Sequence, residues 1–259
     1  MISCDRKLGA LTTPLLAVAF ALLSGCGGDS GPSSASQTSA TTDVGADLLG
    51  SRVDIGAGMP STVPVAGRPS ASGAAPTLDE LGWTIGTADA PIRIIEFSDF
   101  GCGYCRKFHE ETFPTLEAEY IDTGKVLWKF VPMILGIFGP NSQQAALAGE
   151  CAGEQGSFEG MRSRLFGTQS TWKGSDDPAP HFRSLASQVV GDLPRWEQCM
   201  NEGWQTERVN FGTALSREVG VRGTPTFFVV GYQPIPGAIP LDLFREVLDT
   251  VYAQKTSSD

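Results

Sequence analysis

Two cysteines at a predicted strand-to-helix turn constrain this chain most. Cys102 and Cys105 follow the apolar residues 92–97, which predict a buried strand, and they open a helical pattern that extends to about Tyr120. Cysteines three residues apart in the first turn of a helix share one face and lie close enough to form a disulfide. The free N–H groups and partial positive charge of a helix N-terminus favour a thiolate there. The pattern therefore predicts a dithiol that exchanges disulfides.

A zinc site is the main alternative for this motif, because a lone Cys-x-x-Cys is often half of one. Zinc needs two further ligands, and the only histidines in the chain are His109 and His181. We therefore predict no metal and no bound cofactor, with the cysteine pair itself as the redox-active group. His109, one helical turn after Cys105, is expected to be a packed or surface residue rather than a base.

The first residues have the composition of a bacterial export signal. Arg6 and Lys7 precede the apolar residues 11–23, a run too short to span a bilayer comfortably. The Leu-Ser-Gly-Cys that ends at Cys26 resembles the lipobox of bacterial lipoproteins. This resemblance implies that residues 1–25 are removed and that Cys26 carries a lipid anchor. The alternative is an ordinary signal peptide with an incidental cysteine.

A change in composition separates the predicted anchor from the rest of the chain. Residues 26–76 are rich in Gly, Ser, Thr, Ala and Pro, and predict a flexible linker without a core. Residues 77–259 are enough for one domain with a substantial core. The formal net charge of −10, together with the lack of a basic stripe, argues against nucleic-acid binding.

The order of predicted elements indicates an α/β core. Strands are predicted near residues 83–85, 92–97, 126–131, 226–230 and 232–235. Helices are predicted near residues 103–120, 141–155, 157–167, 180–190, 194–201, 204–219 and 240–252. Pro114 is expected to kink the first helix, and Asn141 is expected to cap the second. The helices at about 141–201 are too many for a simple connection and indicate a helical subdomain inserted into the core.

Three features together resemble the thioredoxin fold in its DsbA-like form, over nearly all of residues 77–259. Cys-Gly-Tyr-Cys stands at the strand-to-helix turn, and Thr224-Pro225 precedes the penultimate strand, where this superfamily has its cis-proline loop. Glu96 lies six residues before Cys102, where many members keep a buried acid. The resemblance implies a thioredoxin fold with an inserted helical subdomain, and the activity of a protein thiol:disulfide oxidoreductase.

The resemblance also implies roles for the cysteines and the acid. Cys102 corresponds to the exposed nucleophile and Cys105 to the more buried resolving thiol. Glu96 is expected to be buried with a raised pKa and to exchange a proton with Cys105. The alternative is that Glu96 points outward from the end of its strand.

Substrate contacts are expected around the motif. Pro225 corresponds to the cis-proline that faces the disulfide, and Thr224 presents backbone groups to an extended substrate segment. Gly103 and Tyr104, between the cysteines, are expected to contact substrate as well. The apolar residues 133–138 either line a peptide groove near the thiols or cap the sheet.

The remaining cysteines predict a second disulfide. Four cysteines are left once the export signal and the lipidated Cys26 are set aside, and an even number in an exported protein suggests two pairs. The motif cysteines are placed for each other, which leaves Cys151 with Cys199. We expect that bridge to be structural.

The direction of catalysis is less constrained by the sequence. Gly-Tyr between the cysteines also resembles the DsbC-like isomerases, but those dimerise through a folded N-terminal domain that residues 27–76 cannot supply. We therefore favour a monomeric oxidase over an isomerase or a membrane-tethered reductase. A non-catalytic binding lipoprotein with a structural or metal-binding Cys-x-x-Cys is the alternative of another class.

The resemblance implies partners and a location as well. The substrates would be reduced or misoxidised exported proteins, and a membrane reoxidase of the DsbB or VKOR type would reset the enzyme. The domain would lie in the periplasm or otherwise outside the cytoplasmic membrane, tethered through Cys26.

Overall fold

The structure is a computed structural model that describes residues 78–257. The predicted export signal, Cys26 and the whole predicted linker, residues 26–76, lie outside these residues. The described strands are β1 (Trp83–Ile85), β2 (Ile92–Ser98), β3 (Val126–Pro132), β4 (Thr226–Val229) and β5 (Ile235–Pro236). A 3-10 turn, Leu78–Glu80, precedes β1. No helix in this part of the chain combines the length and apolar character needed to cross a membrane.

The five strands form one mixed sheet in the order β1-β3-β2-β4-β5. β2 and β3 are parallel, from Ile92 opposite Val126 to Ser98 opposite Pro132. The other three pairings are antiparallel. Parallel neighbours need a crossover connection, and the helical residues 103–121 supply it between β2 and β3. The parallel pair and the antiparallel final strands are as predicted.

The crossover, which we call the active-site helix, consists of four consecutive segments. They are α1 (Gly103–Lys107), a π turn (Phe108–Thr112), α2 (Phe113–Leu116) and a second π turn (Glu117–Ile121). Pro114 lies in the first turn of α2, where its missing N–H interrupts the helical pattern least. The sequence predicted one kinked helix here. The chain instead widens into a π turn just before the proline.

Helices cover both faces of the sheet. One face holds an aromatic cluster drawn from the strands, the active-site helix and the terminal helix α9 (Leu241–Thr256), including Phe108, Phe113, Trp128, Phe227 and Phe244. The other face packs against α8 (Thr206–Glu218) through side chains such as Phe211 and Leu215. Because both faces are buried, the end of β2 delivers the cysteine motif to a fixed position.

The helical insertion lies between β3 and β4. It comprises α3 (Pro140–Gly153), α4 (Phe158–Gly167), α5 (Gln169–Trp172), α6 (Ala179–Ala186) and α7 (Leu193–Glu202). The sheet-packing α8 follows it and leads to β4.

Asn141 does not cap α3, contrary to prediction. The N-cap is Gly139, whose φ of 78° is in the left-handed region that favours glycine, and the helix begins at Pro140. The Asn141 side-chain amide is used elsewhere. Its Nδ2 donates to the carbonyl oxygens of Trp172 (2.9 Å) and Ser175 (2.7 Å). Asn141 thus ties the start of α3 to the end of α5.

Candidate active site

A buried carboxylate, Asp99, holds the turn between β2 and the active-site helix. Its Oδ1 accepts hydrogen bonds from the N–H of Gly101 (2.8 Å) and from the hydroxyl of Ser142. Its Oδ2 accepts from the N–H of Leu135 (2.9 Å). Burial raises the pKa of Asp99 in spite of these donors. The bonds attach the turn both to α3 and to the loop that follows β3.

Cys102 occupies the N-cap position of α1, and its sulfur lies 3.3 Å from the carbonyl oxygen of Thr224. A hydrogen bond from the Cys105 thiol lowers the pKa of Cys102 to about 6 against the opposing effect of burial. The Thr224 hydroxyl and the N–H groups of Cys105 and Tyr104 add to this stabilisation of the thiolate. The sequence predicted an exposed nucleophile. The side chain is only 4% exposed, because the Thr224 loop packs over it.

Cys105, one turn further along, is fully buried. Burial and the neighbouring Cys102 sulfur raise the pKa of Cys105 well above its usual range. Both thiols are free in this structure. At neutral pH the pair therefore consists of a thiolate at Cys102 and a protonated thiol at Cys105, which suits a nucleophile and a resolving cysteine.

The loop that faces the cysteines contains a cis peptide bond between Thr224 and Pro225. The Thr224 hydroxyl is buried without a conventional hydrogen-bond partner, and it interacts with both thiols. The Pro225 carbonyl accepts a hydrogen bond from the N–H of Gly237 (2.8 Å), which attaches the loop to the end of β5. Thr224 and Pro225 thus lie beside the cysteine pair, more than 100 residues away in sequence.

A groove of about 810 Å³ opens beside Cys102. Tyr104 is 70% exposed and Ile137 is 76% exposed, and both line this groove. Further lining residues are Gly103, Leu135, Phe138, Arg222 and Thr224, with charged side chains from Arg106, Lys107, Glu110 and Glu111. The apolar loop 133–138 thus lines the groove through Leu135, Ile137 and Phe138, whereas Met133 at its start is buried in the core.

Glu96 is fully buried in β2, on the side of the active-site helix. Its Oε1 lies 2.7 Å from His109 Nε2, and its Oε2 accepts a hydrogen bond from Trp128 Nε1 (3.0 Å). Burial acts to raise the pKa of Glu96, but the His109 hydrogen bond and the Arg162 guanidinium outweigh it and hold the pKa below its ordinary value. The raised pKa predicted from the sequence is therefore wrong. Glu96 is a buried carboxylate at neutral pH.

His109 is packed, as the sequence analysis expected, yet it is also joined to the acid. Burial lowers the pKa of His109, so its ring is neutral and Nε2–H donates to Glu96. Its ring stacks on Phe166 of α4, with centroids 4.6 Å apart. Arg162, also on α4, is buried and supplies the positive charge that balances Glu96. Sequence reasoning missed Arg162, for which no local pattern gives a signal.

Gln169 of α5 is a second residue that the sequence did not indicate. Its Nε2 donates to the carbonyl oxygens of Phe100 (2.6 Å) and Cys102 (2.9 Å). The side chain is buried. The helical insertion thereby supports the backbone of the cysteine motif directly.

The structure gathers most of the predicted site residues in one place. Cys102, Cys105, Thr224 and Pro225 meet, Gly103 and Tyr104 lie on the groove beside them, and Glu96 lies behind them. Cys151 of α3 and Cys199 of α7 form a disulfide within the helical insertion. Within residues 78–257, no three or more His, Cys, Asp or Glu side chains are grouped to hold a metal ion.

A family model described as thioredoxin matches residues 79–250. The chain belongs to this thioredoxin family. Solved structures of DsbA-like proteins align with this chain and confirm the predicted fold. BdbD from Bacillus subtilis in its oxidised form has a TM-score of 0.61 at 23% identity, covering 75% of this chain and 100% of that one. Alpha-DsbA1 from Wolbachia pipientis has a TM-score of 0.59 at 24% identity, covering 68% and 92%.

Two curated relatives of the thioredoxin-family chain are named for disulfide chemistry. A Rickettsia prowazekii protein described as a protein-disulfide oxidoreductase is 26% identical over 161 residues, which are 60% of this chain and 57% of that protein. Disulfide bond formation protein D from Bacillus subtilis is 27% identical over 156 residues, covering 56% of this chain and 66% of that protein. The matched region thus spans between about half and two thirds of these relatives.

Proposed function

We propose that this protein is a thiol:disulfide oxidoreductase that exchanges disulfides with other proteins through Cys102 and Cys105. The proposal rests on one observation, namely that the pKa values of two adjacent thiols are shifted in opposite directions. The pKa of Cys102 is lowered to about 6, and the pKa of Cys105 is raised. A structural disulfide has no need of such a split, whereas a nucleophile and a resolving thiol require it. The disulfide chemistry named for the relatives supports the same reading.

The exchange proceeds in two steps that balance in sulfur, electrons and protons. A substrate thiolate attacks the Cys102 sulfur of the oxidised pair, the Cys102–Cys105 bond breaks, and Cys105 leaves and takes up a proton. A second substrate thiolate then attacks the substrate sulfur of the mixed disulfide, and Cys102 leaves as a thiolate. Electrons pass between sulfur atoms throughout, so the cysteine pair itself is the redox group and no bound cofactor is proposed.

Oxidation of substrate dithiols is the proposed direction. The thiolate at Cys102 is stabilised by hydrogen bonds from Cys105 and from the start of the helix, and by the nearby Thr224 hydroxyl. Stabilising the reduced form makes a dithiol pair a stronger oxidant. This observation favours an oxidase over the isomerase and the reductase, which remain the alternatives.

An extended, apolar segment of an unfolded protein is the proposed substrate. The Thr224 backbone beside Cys102 offers hydrogen bonds to such a segment, with Pro225 next to it and Gly103 at the groove. The exposed Tyr104 and Ile137 offer apolar contact on either side. A monomer suffices for this arrangement.

The proposed setting is outside the cytoplasmic membrane, with reduced or misoxidised exported proteins as substrates. A lipid anchor at Cys26 would tether the domain, and a membrane reoxidase of the DsbB or VKOR type would restore the Cys102–Cys105 disulfide. Cys26→Ser in the full-length protein is expected to move it from the membrane fraction to the soluble fraction of its host. Unchanged membrane association would refute the lipid anchor at Cys26, but it would not bear on disulfide exchange by Cys102 and Cys105.

The equilibrium of the cysteine pair with glutathione tests the function. Wild-type protein is expected to exchange rapidly and to have a strongly oxidising potential. Cys102→Ser is expected to abolish transfer of disulfides to a reduced model protein, and Cys105→Ser to accumulate mixed disulfides through Cys102. A pair that resists reduction by glutathione would point instead to a structural disulfide in a binding protein. A strongly reducing potential would point to a reductase.

A further inference from the structure

The charges that line the groove beside Cys102 do not cancel. Four of them belong to the active-site helix, where residues four apart form two ion pairs, each at 3.9 Å: Arg106 with Glu110, and Lys107 with Glu111. The fifth charged residue of the groove is Arg222, which comes two residues before Thr224. The lining therefore carries one positive charge in excess, and Arg222 supplies it.

Arg222 has no partner within residues 78–257. Its side chain is exposed and forms no hydrogen bond, ion pair or ring contact with this part of the chain. A solvated arginine is ordinary on a protein surface and by itself indicates nothing. This one differs because it borders the groove in which the proposed exchange takes place.

The chain keeps Arg222 close to the reacting sulfur. Thr224 has its carbonyl oxygen 3.3 Å from the Cys102 sulfur, and two residues of backbone span at most about 7 Å. Arg222 also borders a second groove, of about 450 Å³, which is lined by the Thr224-Pro225 loop and by Gly237. A segment bound against Thr224 therefore brings the side chains beside its cysteine within reach of the guanidinium.

We propose that Arg222 selects substrate segments that carry an acidic side chain near the reacting cysteine. This inference rests on the proposed disulfide exchange and adds a chemical class to its substrates. A guanidinium donates two parallel hydrogen bonds to a carboxylate, and it repels a lysine or an arginine at the same place. An acidic residue beside the cysteine of an otherwise apolar segment is then favoured, and a basic one is disfavoured.

The overall charge of the protein acts in the opposite direction, but over a longer distance. The chain has a formal net charge of −10, which repels acidic segments as they approach. At physiological ionic strength, exposed charges more than about 8 Å apart are largely screened from one another. The nearer acids, Glu110 and Glu111, are already engaged by cations of their own helix. A carboxylate in contact with Arg222 is therefore governed by that guanidinium.

The test measures the stability of mixed disulfides between Cys102 and model peptides, in the full-length protein with Cys105→Ser so that they persist. Each peptide has one cysteine among apolar residues and carries Glu, Gln or Lys two residues from it, on one side or the other. Every equilibrium constant is divided by that of the same peptide exchanging with hydroxyethyl disulfide, an uncharged reference that cancels differences in the peptide thiol. The Glu peptide is expected to be favoured over the Gln peptide by about two- to fivefold on at least one side, the range for an exposed ion pair, and the Lys peptide to be least favoured.

Salt and charge reversal separate selection by charge from a change in the shape of the groove. The preference should disappear at 1 M salt, where screening acts within about 3 Å. Arg222→Glu should reverse the order, so that the Lys peptide forms the most stable mixed disulfide. The matched control is Arg217→Glu, which changes the net charge equally at an exposed arginine of α8 that does not line the groove and has no ion pair within residues 78–257. This control should keep the order found with Arg222 in place.

The outcomes distinguish the selection from the function on which it rests. Equal constants for the three peptides on both sides, or an order that survives Arg222→Glu or 1 M salt, would overturn selection by Arg222 and leave disulfide exchange standing. If none of the peptides forms a mixed disulfide with Cys102, the proposed function fails and the selection fails with it.

Discussion

At the scale of single residues, the site depends on how differently two neighbouring thiols are surrounded. The Cys102 thiolate is stabilised by the Cys105 thiol, by the nearby Thr224 hydroxyl and by N–H groups of the helix, and these lower its pKa. Cys105 lies one turn deeper, where burial outweighs its hydrogen bonds. One helix therefore carries both a nucleophilic thiolate and a protonated thiol, because three residues along its first turn lead from the groove to the fully buried interior.

Selective alkylation is the corresponding prediction for the reduced protein. At pH 7 iodoacetamide is expected to modify Cys102 first, with a rate that follows a single ionisation at a pKa of about 6. The lowered pKa of Cys102 also gives the reduced fold a stabilisation that is present at alkaline pH and is lost as the pH falls through about 6. Peptide mapping by mass spectrometry identifies the modified residue. Preferential labelling of Cys105 would reverse the assigned roles.

At the scale of elements, the cysteine motif is held from three sides. Asp99 fixes the turn from within, the Thr224 loop covers it, and Gln169 of α5 supports its carbonyl groups. The support from α5 matters because the Phe100 carbonyl lies in the turn before the first intrahelical hydrogen bond, and Gln169 donates to it. The insertion is thus part of the active-site framework.

Removal of the Gln169 amide tests that support. Gln169→Leu leaves the Phe100 carbonyl without its donor, and we expect the free energy of unfolding to fall by about 1–3 kcal/mol, the cost of an unsatisfied buried polar group. Urea denaturation measures the change. The matched control is Gln188→Leu at an exposed position, which should shift stability by less than about 0.5 kcal/mol. Equal stability of both variants would contradict the role given to Gln169.

The sequence predicted local features of the site better than distant ones. The Cys-x-x-Cys spacing and the Thr224-Pro225 dipeptide are each recognisable from neighbouring residues alone. The structure places both at one site, as the sequence predicted. The pKa of Glu96 was predicted in the wrong direction because burial is outweighed by His109 first and by Arg162 after it, and both residues come from other elements. Gln169 gave no signal at all, since a buried glutamine on a short helix has no characteristic pattern.

At the scale of the whole molecule, the helical insertion is attached to the sheet at several separate points. Arg208 of α8 binds Glu150 of α3 through Nε (2.7 Å) and donates from Nη2 to the carbonyl oxygen of Gly82 before β1 (2.7 Å). Inside the insertion, the Cys151–Cys199 disulfide joins α3 to α7 through two cysteines that are 48 residues apart in sequence. These links hold the insertion, including the α5 helix that supports the cysteine motif, in a fixed position against the sheet.

The double variant Cys151→Ala/Cys199→Ala tests the global contribution of that bridge. Opening a loop of this length is expected to lower the free energy of unfolding by about 4 kcal/mol, because the unfolded chain regains conformational freedom. Denaturation under non-reducing conditions measures the loss. Glutathione exchange at Cys102 should persist at temperatures where the variant is folded. Unchanged stability, or recovery of both residues as free thiols from exported wild-type protein, would contradict a structural bridge.

The covered position of Cys105 also determines how many protons accompany each pair of electrons. Near neutral pH, reduction of the disulfide adds a proton to Cys105 and none to Cys102, whose pKa is about 6. The midpoint potential should therefore fall by about 30 mV for each unit of rising pH, half the slope of a pair that binds two protons. In surroundings more acidic than the Cys102 pKa, the slope doubles. A substrate dithiol with ordinary thiol pKa values binds two protons on reduction, so its potential changes by about 59 mV for each pH unit. The excess of this protein's potential over that of such a substrate should therefore narrow as the pH falls toward the Cys102 pKa of about 6, and should stay constant below it.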